Sequence, residues 1–106
     1  MRELLPARRA SEQFELQLGP HVYQIGIGRY PDFRVGEIFI DAGKAGTDLR
    51  TTAHDLAVAI SLALQHGAKL EDMRRTFARD DTGMPCGIAA AILDALSLRQ
   101  VAEAAE

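Results

Sequence analysis

The sequence predicts a small α+β fold: an antiparallel three-stranded sheet followed by three helices packed on one face, in the order βββααα. Three observations carry this. Two stretches with a period of two, Phe14-Leu16-Leu18 and Tyr23-Ile25-Ile27, are joined by a short Gly19-Pro20-His21 turn, the pattern of a β-hairpin with one buried face. From Asp48 the apolar period changes to three and four. Strands gathered first and helices gathered after them argue α+β with no parallel crossover units.

Each element has its local cause. Residues 1–11 read as an irregular arm, because Pro6 breaks an early helix and Arg2, Arg8 and Arg9 keep the segment solvated. In the second strand Gly26 and Gly28 fall on the face opposite Tyr23, Ile25 and Ile27, leaving room for close approach of another backbone or a neighbouring chain. Tyr30-Pro31-Asp32-Phe33 is a turn, and a third strand covers about Gly36 to Asp41. The longest helix follows, with Leu49, Ala53, Leu56, Ala57, Ile60, Ala63 and Leu64 on one stripe, Thr47 or Asp48 at the N-cap and Gly67 as its stop. Leu70, Met73 and Phe77 mark a second helix with acids early and arginines late, in accord with the helix dipole. Asp80-Asp81-Thr82-Gly83-Met84-Pro85 is a break, and a third helix starts near Pro85 to Gly87. Its end, residues 97–106, reads as a fraying Ala/Glu tail.

Bulk properties bound the function. The chain has 106 residues, 47% of them hydrophobic and 25% charged, which fits a single globular domain over 1–106 with one modest core. A net charge of -3 disfavours extended duplex nucleic acid as a partner. The single cysteine, Cys86, forbids an internal disulfide. With no apolar run near the about 20 residues a bilayer span needs, and no signal-like N-terminus, the expected location is cytoplasmic and no membrane partner is expected. Three strands leave two exposed sheet edges, so homodimerisation through an edge or an uncovered face is expected.

Several segments together carry a family resemblance. They are Leu5-Pro6-Ala7-Arg8-Arg9-Ala10-Ser11-Glu12 ahead of the hairpin, Gly36-Glu37-Ile38-Phe39-Ile40, Gly43-Lys44-Ala45-Gly46, and Ala59-Ile60-Ser61-Leu62-Ala63-Leu64-Gln65-His66-Gly67. In order and spacing they resemble the TSCPD domain, found near the C-terminus of adenosylcobalamin-dependent (class II) ribonucleotide reductases and also as short free-standing proteins. The resemblance covers roughly residues 4 to 96. The Thr-Ser-Cys-Pro-Asp motif that names the family is altered here. In Thr82-Gly83-Met84-Pro85-Cys86-Gly87, Pro85 matches, Met84 stands for the cysteine and Cys86 for the aspartate. The resemblance implies a setting in deoxyribonucleotide supply, as an accessory or regulatory module that pairs with itself or with a reductase catalytic chain. Adenosylcobalamin belongs to the related full-length reductases, and no cofactor is expected on this chain, which lacks their catalytic barrel.

Candidate sites are few. Gly43, Lys44, Gly46 and Thr47 form a glycine-punctuated turn before a helix N-terminus, a generic place for an anion or nucleotide. The lysine precedes the second glycine, so the Walker spacing is not met, and a plain strand-to-helix turn is the favoured reading. Cys86 near the start of the last helix is the candidate redox thiol; a small residue beside Pro85 is the simpler reading. His21, His54 and His66 lack a ligand spacing, so no metal site is expected. Arg8 and Arg9 with Arg74, Arg75 and Arg79 could form a basic patch, but late-helix arginines read first as a solvated face. Asp80, Asp81 and Asp94 read as turn and helix-surface acids. No catalytic residues are assigned.

Overall fold

The computed structural model describes residues 1–42 and 48–104, with side chains through Arg99. Three antiparallel strands precede three helices, the α+β order the sequence predicts: β1 (Ser11–Leu18), β2 (His21–Arg29), β3 (Val35–Asp41), α1 (Asp48–Gln65), α2 (Leu70–Thr76) and α3 (Ile88–Ala104). The chain divides into two compact units, Met1–Gly67 and Ala68–Glu106.

In the first unit the sheet order is β1-β2-β3. Register puts Phe14 opposite Ile25 and Ile25 opposite Ile40, with Ile27 opposite Ile38 in the next row. Because side chains alternate along a strand, this places every isoleucine of β2 and β3 on one face. Ile25, Ile27 and Ile38 are the largest fully buried side chains of the sheet. Burial of such a side chain contributes roughly 1.5–3 kcal/mol, so this row is the main source of the sheet's stability. Helix α1 packs along β3 and buries Ala53, Ala57, Ile60 and Leu64 of the predicted stripe, with Leu56 and Ala63 half-buried; Leu49, placed on the stripe by its spacing, is exposed in the first turn. The helix ends at Gln65, just before the expected stop Gly67, which takes a positive φ of 99° that a side chain would resist.

The opposite face explains Gly26 and Gly28 differently from the sequence reading. No second backbone is needed to fill the space above them. A Cβ on Gly28 would collide with the Glu37 side chain, and one on Gly26 would meet the Phe39 ring at 3.5 Å. The glycines make room for side chains of the neighbouring strand.

The N-terminal arm is irregular but tied down. Glu3 N–H donates to Gln65 O at 2.6 Å, the Tyr30 hydroxyl donates to Glu3 O at 2.5 Å, and Arg9 pairs with Glu37 at 2.6 Å. The Tyr30 ring and the Leu5 side chain fill the space beside Gly36, leaving no room for a Cβ there. Phe33 takes φ 73°, an uncommon conformation for a bulky residue, and its carbonyl accepts from the buried Arg29 guanidinium at 2.7 Å.

In the second unit α2 and α3 pack together. The segment between them closes as a short loop, with Arg79 bridged to Pro85 and the Asp80 carboxylate accepting from Thr82 N–H, the Thr82 hydroxyl and Met84 N–H. These donors hold the Asp80 carboxyl below its usual range. Helix α3 covers Ile88–Ala104. Its alanine-rich sequence is a strong helix former, and Ile92, Leu93 and Leu96 are fully buried.

Candidate functional site

The site is built from an edge strand and a helix laid beside it. β3 is a sheet edge, and an edge strand presents a row of unpaired N–H and C=O groups. Two polar side chains of α1 meet that row. Ser61 Oγ accepts from Ile38 N–H at 2.9 Å and donates to Ile38 O at 3.2 Å. One helical turn on, Gln65 Nε2 donates to Gly36 O at 2.9 Å. Four helical residues advance about 6 Å and two strand residues about 6.6 Å, so the two ladders stay nearly in step. One of the two edges expected to be exposed is thus covered by this chain's own helix.

Above this seam lies a groove of about 670 Å3. Phe39 forms one wall, and Val58 and Leu62 of α1 form the other. These three side chains are exposed, Phe39 by 57%. Gln13 and Gln24 continue the floor, and Arg2 and Glu37 sit with Gln65 at one end, while Asp41, Arg50 and His54 sit at the other. Gln65 is the hub at the first end. It is 5% exposed, and besides holding Gly36 its Oε1 accepts from Arg2 Nε at 2.6 Å.

The sequence-predicted candidates are distributed as follows. Gly43, Lys44, Gly46 and Thr47 lie outside the described residues. Asp41 and Arg50, on either side of that segment, both line the groove. Cys86 is exposed in the second unit, its N–H donating to Ala78 O at 3.0 Å. Of the histidines only His54 lines the groove; His21 is exposed at the start of β2 and His66 is exposed after α1. Among the described residues no cluster of three or more His, Cys, Asp or Glu could hold a metal ion.

Four of the five arginines of the expected basic patch are engaged locally. Arg9 pairs with Glu37, and Arg75 pairs with Asp72 at 2.8 Å. Arg74 and Arg79 converge on Asp94, at 2.7 and 2.6 Å. Asp94 is therefore more than the helix-surface acid of the sequence reading. The Arg79 and Arg74 guanidinium groups hold its carboxyl down at about 2. Arg79 also donates to Gly83 O and Arg74 O, so this cluster anchors the Asp80 loop to α3. Sequence reasoning missed Arg2, Phe39, Ser61 and Gln65. The available signal was Ser61 and Gln65, two polar residues four apart beside an apolar stripe and opposite no other polar partner in sequence.

Comparison with known proteins agrees with this architecture's sequence pattern. The profile of the TSCPD domain matches residues 5–103. The vitamin B12-dependent ribonucleotide reductase of Agrobacterium fabrum is 41% identical over 76 residues, 72% of this chain and 6% of that protein. The enzyme of the same name from Bradyrhizobium diazoefficiens is 41% identical over 71 residues, 67% of this chain and 6% of that protein. The one from Rhodopirellula baltica is 36% identical over 70 residues, 66% of this chain and 7% of that protein. The chain thus spans only 6–7% of the length of these curated relatives. No solved structure matches. With the family profile running over nearly its whole length, this chain belongs to the TSCPD domain family.

Proposed function

We propose that this chain is a non-catalytic accessory module of deoxyribonucleotide synthesis, acting by association with a ribonucleotide reductase catalytic chain. The observation that carries this reading is the coverage asymmetry. The family profile covers residues 5–103, and the 76 residues aligned with the vitamin B12-dependent reductase of Agrobacterium fabrum are 6% of that protein. A segment that small is a module of the larger machine. The sequence supports the same division of labour, since it holds one cysteine and no paired acid–base or nucleophile constellation.

The test mixes the purified chain with the reductase catalytic chain of its source cell. Binding in sedimentation, together with a change in turnover or in its response to deoxyribonucleotides, is the expected result. Ribonucleotide reduction by this chain alone, given adenosylcobalamin and a dithiol, would overturn the non-catalytic reading. No binding and no effect on turnover would overturn the association.

A further inference from the structure

The two edges of the sheet are finished differently. The β3 edge is capped by Ser61 and Gln65 of α1. The β1 edge has β2 on one side and no strand on the other. Backbone alternation fixes which of its groups face out. Ile38 turns its N–H and C=O away from β2, so its partner Ile27 turns its own toward β1, where it meets Glu12. Along β1, Glu12, Phe14, Leu16 and Leu18 therefore bond β2, while Ser11, Gln13, Glu15 and Gln17 present their N–H and C=O to the open side.

Edge strands are ordinarily blunted by proline, lysine, a bulge or an inward-pointing charge. The eight residues of β1 include no proline and no basic residue, and their register with β2 runs unbroken. The inward charge, Glu12, is neutralised within the chain by the buried Arg29 guanidinium, at 2.6 and 2.9 Å. The core-side row of Phe14, Leu16 and Leu18 is half-buried, so apolar surface runs out to the rim.

A second copy of the same strand fits this edge. In antiparallel self-pairing only residues that both turn outward can exchange bonds, so the two-fold axis passes through a residue and not between two. Two such registers pair nearly the whole of β1. Centring on Glu15 sets that carboxylate directly against its own copy, a like-charge pair. Centring on Phe14 opposes no like charges: Gln13 of one copy faces Glu15 of the other, and Ser11 faces Gln17. Phe14 then meets Phe14 in a non-hydrogen-bonded pair, the closer of the two kinds, which suits an aromatic contact. Glu12 falls opposite Leu16 with its charge already held by Arg29.

We propose that this chain self-associates through β1, two copies pairing antiparallel about Phe14 into one continuous sheet of strand order β3-β2-β1-β1-β2-β3. Both outer edges of that sheet are β3, each covered by its own α1. Pairing is thereby closed at two copies, with no bare edge left to extend into a fibre.

Sedimentation equilibrium on the full chain tests this, with position 13 as the probe because it is exposed and its N–H points away from β2. Wild type sediments as a concentration-dependent dimer. Gln13→Glu sets an acid against Glu15 on both sides of the axis and weakens the dimer by about tenfold. Gln13→Lys sets a base there and tightens it by about the same factor, more so at low salt. Gln13→Pro removes an outward donor and abolishes the dimer. All three keep the fold, read by far-ultraviolet circular dichroism on dilute samples. A wild type that stays monomeric at millimolar concentration overturns the proposal. So does a dimer indifferent to all three substitutions, which would put the contact on another surface. A dimer broken by Gln13→Pro yet blind to charge at position 13 overturns the register, moving the axis off Phe14.

Discussion

Gln65 and Asp94 solve the same problem in the two units by different physics. Each is a polar side chain on a helix that ties down an irregular segment. Gln65 is buried and neutral, and it gathers Arg2 and the Gly36 carbonyl, with the Glu3 amide on its own backbone oxygen. Asp94 is charged and partly exposed, and it gathers Arg74 and Arg79 beside the Asp80 loop. The first is a set of hydrogen bonds whose strength comes from exclusion of water. The second is an ion cluster whose strength depends on proton and salt concentration. The Gln65 contacts should therefore be sensitive to substitution and insensitive to pH, and the Asp94 cluster sensitive to both.

The largest effect is expected at Gln65. Gln65→Leu keeps the volume but strands the buried Gly36 carbonyl and releases Arg2, a loss of about 2–4 kcal/mol. Thermal unfolding should shift down by on the order of 10 °C or more. The deficit should be the same at pH 7 and pH 3, because no titrating group is removed. A loss that shrinks with acid would show that the Gln65 contacts depend on the arm's ion pairs, Arg9 with Glu37 among them.

Asp94→Asn should cost less, about 1–2 kcal/mol at neutral pH, because the carboxylate is partly exposed and screened. Its folded pKa of about 2 lies below the ordinary carboxylate value near 4. A depressed pKa contributes stability above the unfolded value, and that stability drains away as pH falls through the folded one. Wild type and Asp94→Asn should therefore differ in full above about pH 4 and converge by about pH 2. High salt should narrow the gap at neutral pH. Denaturant melts at pH 7, 4, 3 and 2 read this directly; a constant gap across that range would remove the ion cluster as the cause.

These two residues also mark where the sequence stopped being readable. Strand order, helix positions and the Gly67 stop were legible, because hydrophobic period and glycine placement are local signals. The apolar stripe through Ala53, Ala57, Ile60 and Leu64 announces which face of α1 is buried, but it is silent on the polar residues at its margin. Whether Gln65 is a solvated end or a buried hub depends on β3 lying alongside, a contact across 29 residues. Asp94 reads as a surface acid for the same reason, since Arg79 reaches it only once the 79–85 loop has closed. Phe39 was legible as a strand residue, but its exposure depends on which face α1 covers. The covered edge has a further consequence for self-association: with α1 along β3, edge-to-edge pairing of two copies would have to use β1.

The smallest effect expected is at Ser61, and it separates the edge seam from the Gln65 hub. Ser61→Ala leaves the Ile38 N–H and C=O without their partner, at a cost of about 1–2 kcal/mol. Alanine is the better helix former by a few tenths of a kcal/mol, which offsets part of that. The net change in stability is therefore about 1 kcal/mol. Amide hydrogen exchange resolves it better than a melt. Protection of the Ile38 N–H should fall well beyond the global loss, while the Glu3 N–H on Gln65 O keeps its relative protection. Equal loss at both amides would mean that helix and edge open as one body, and that Ser61 and Gln65 belong to a single cooperative seam.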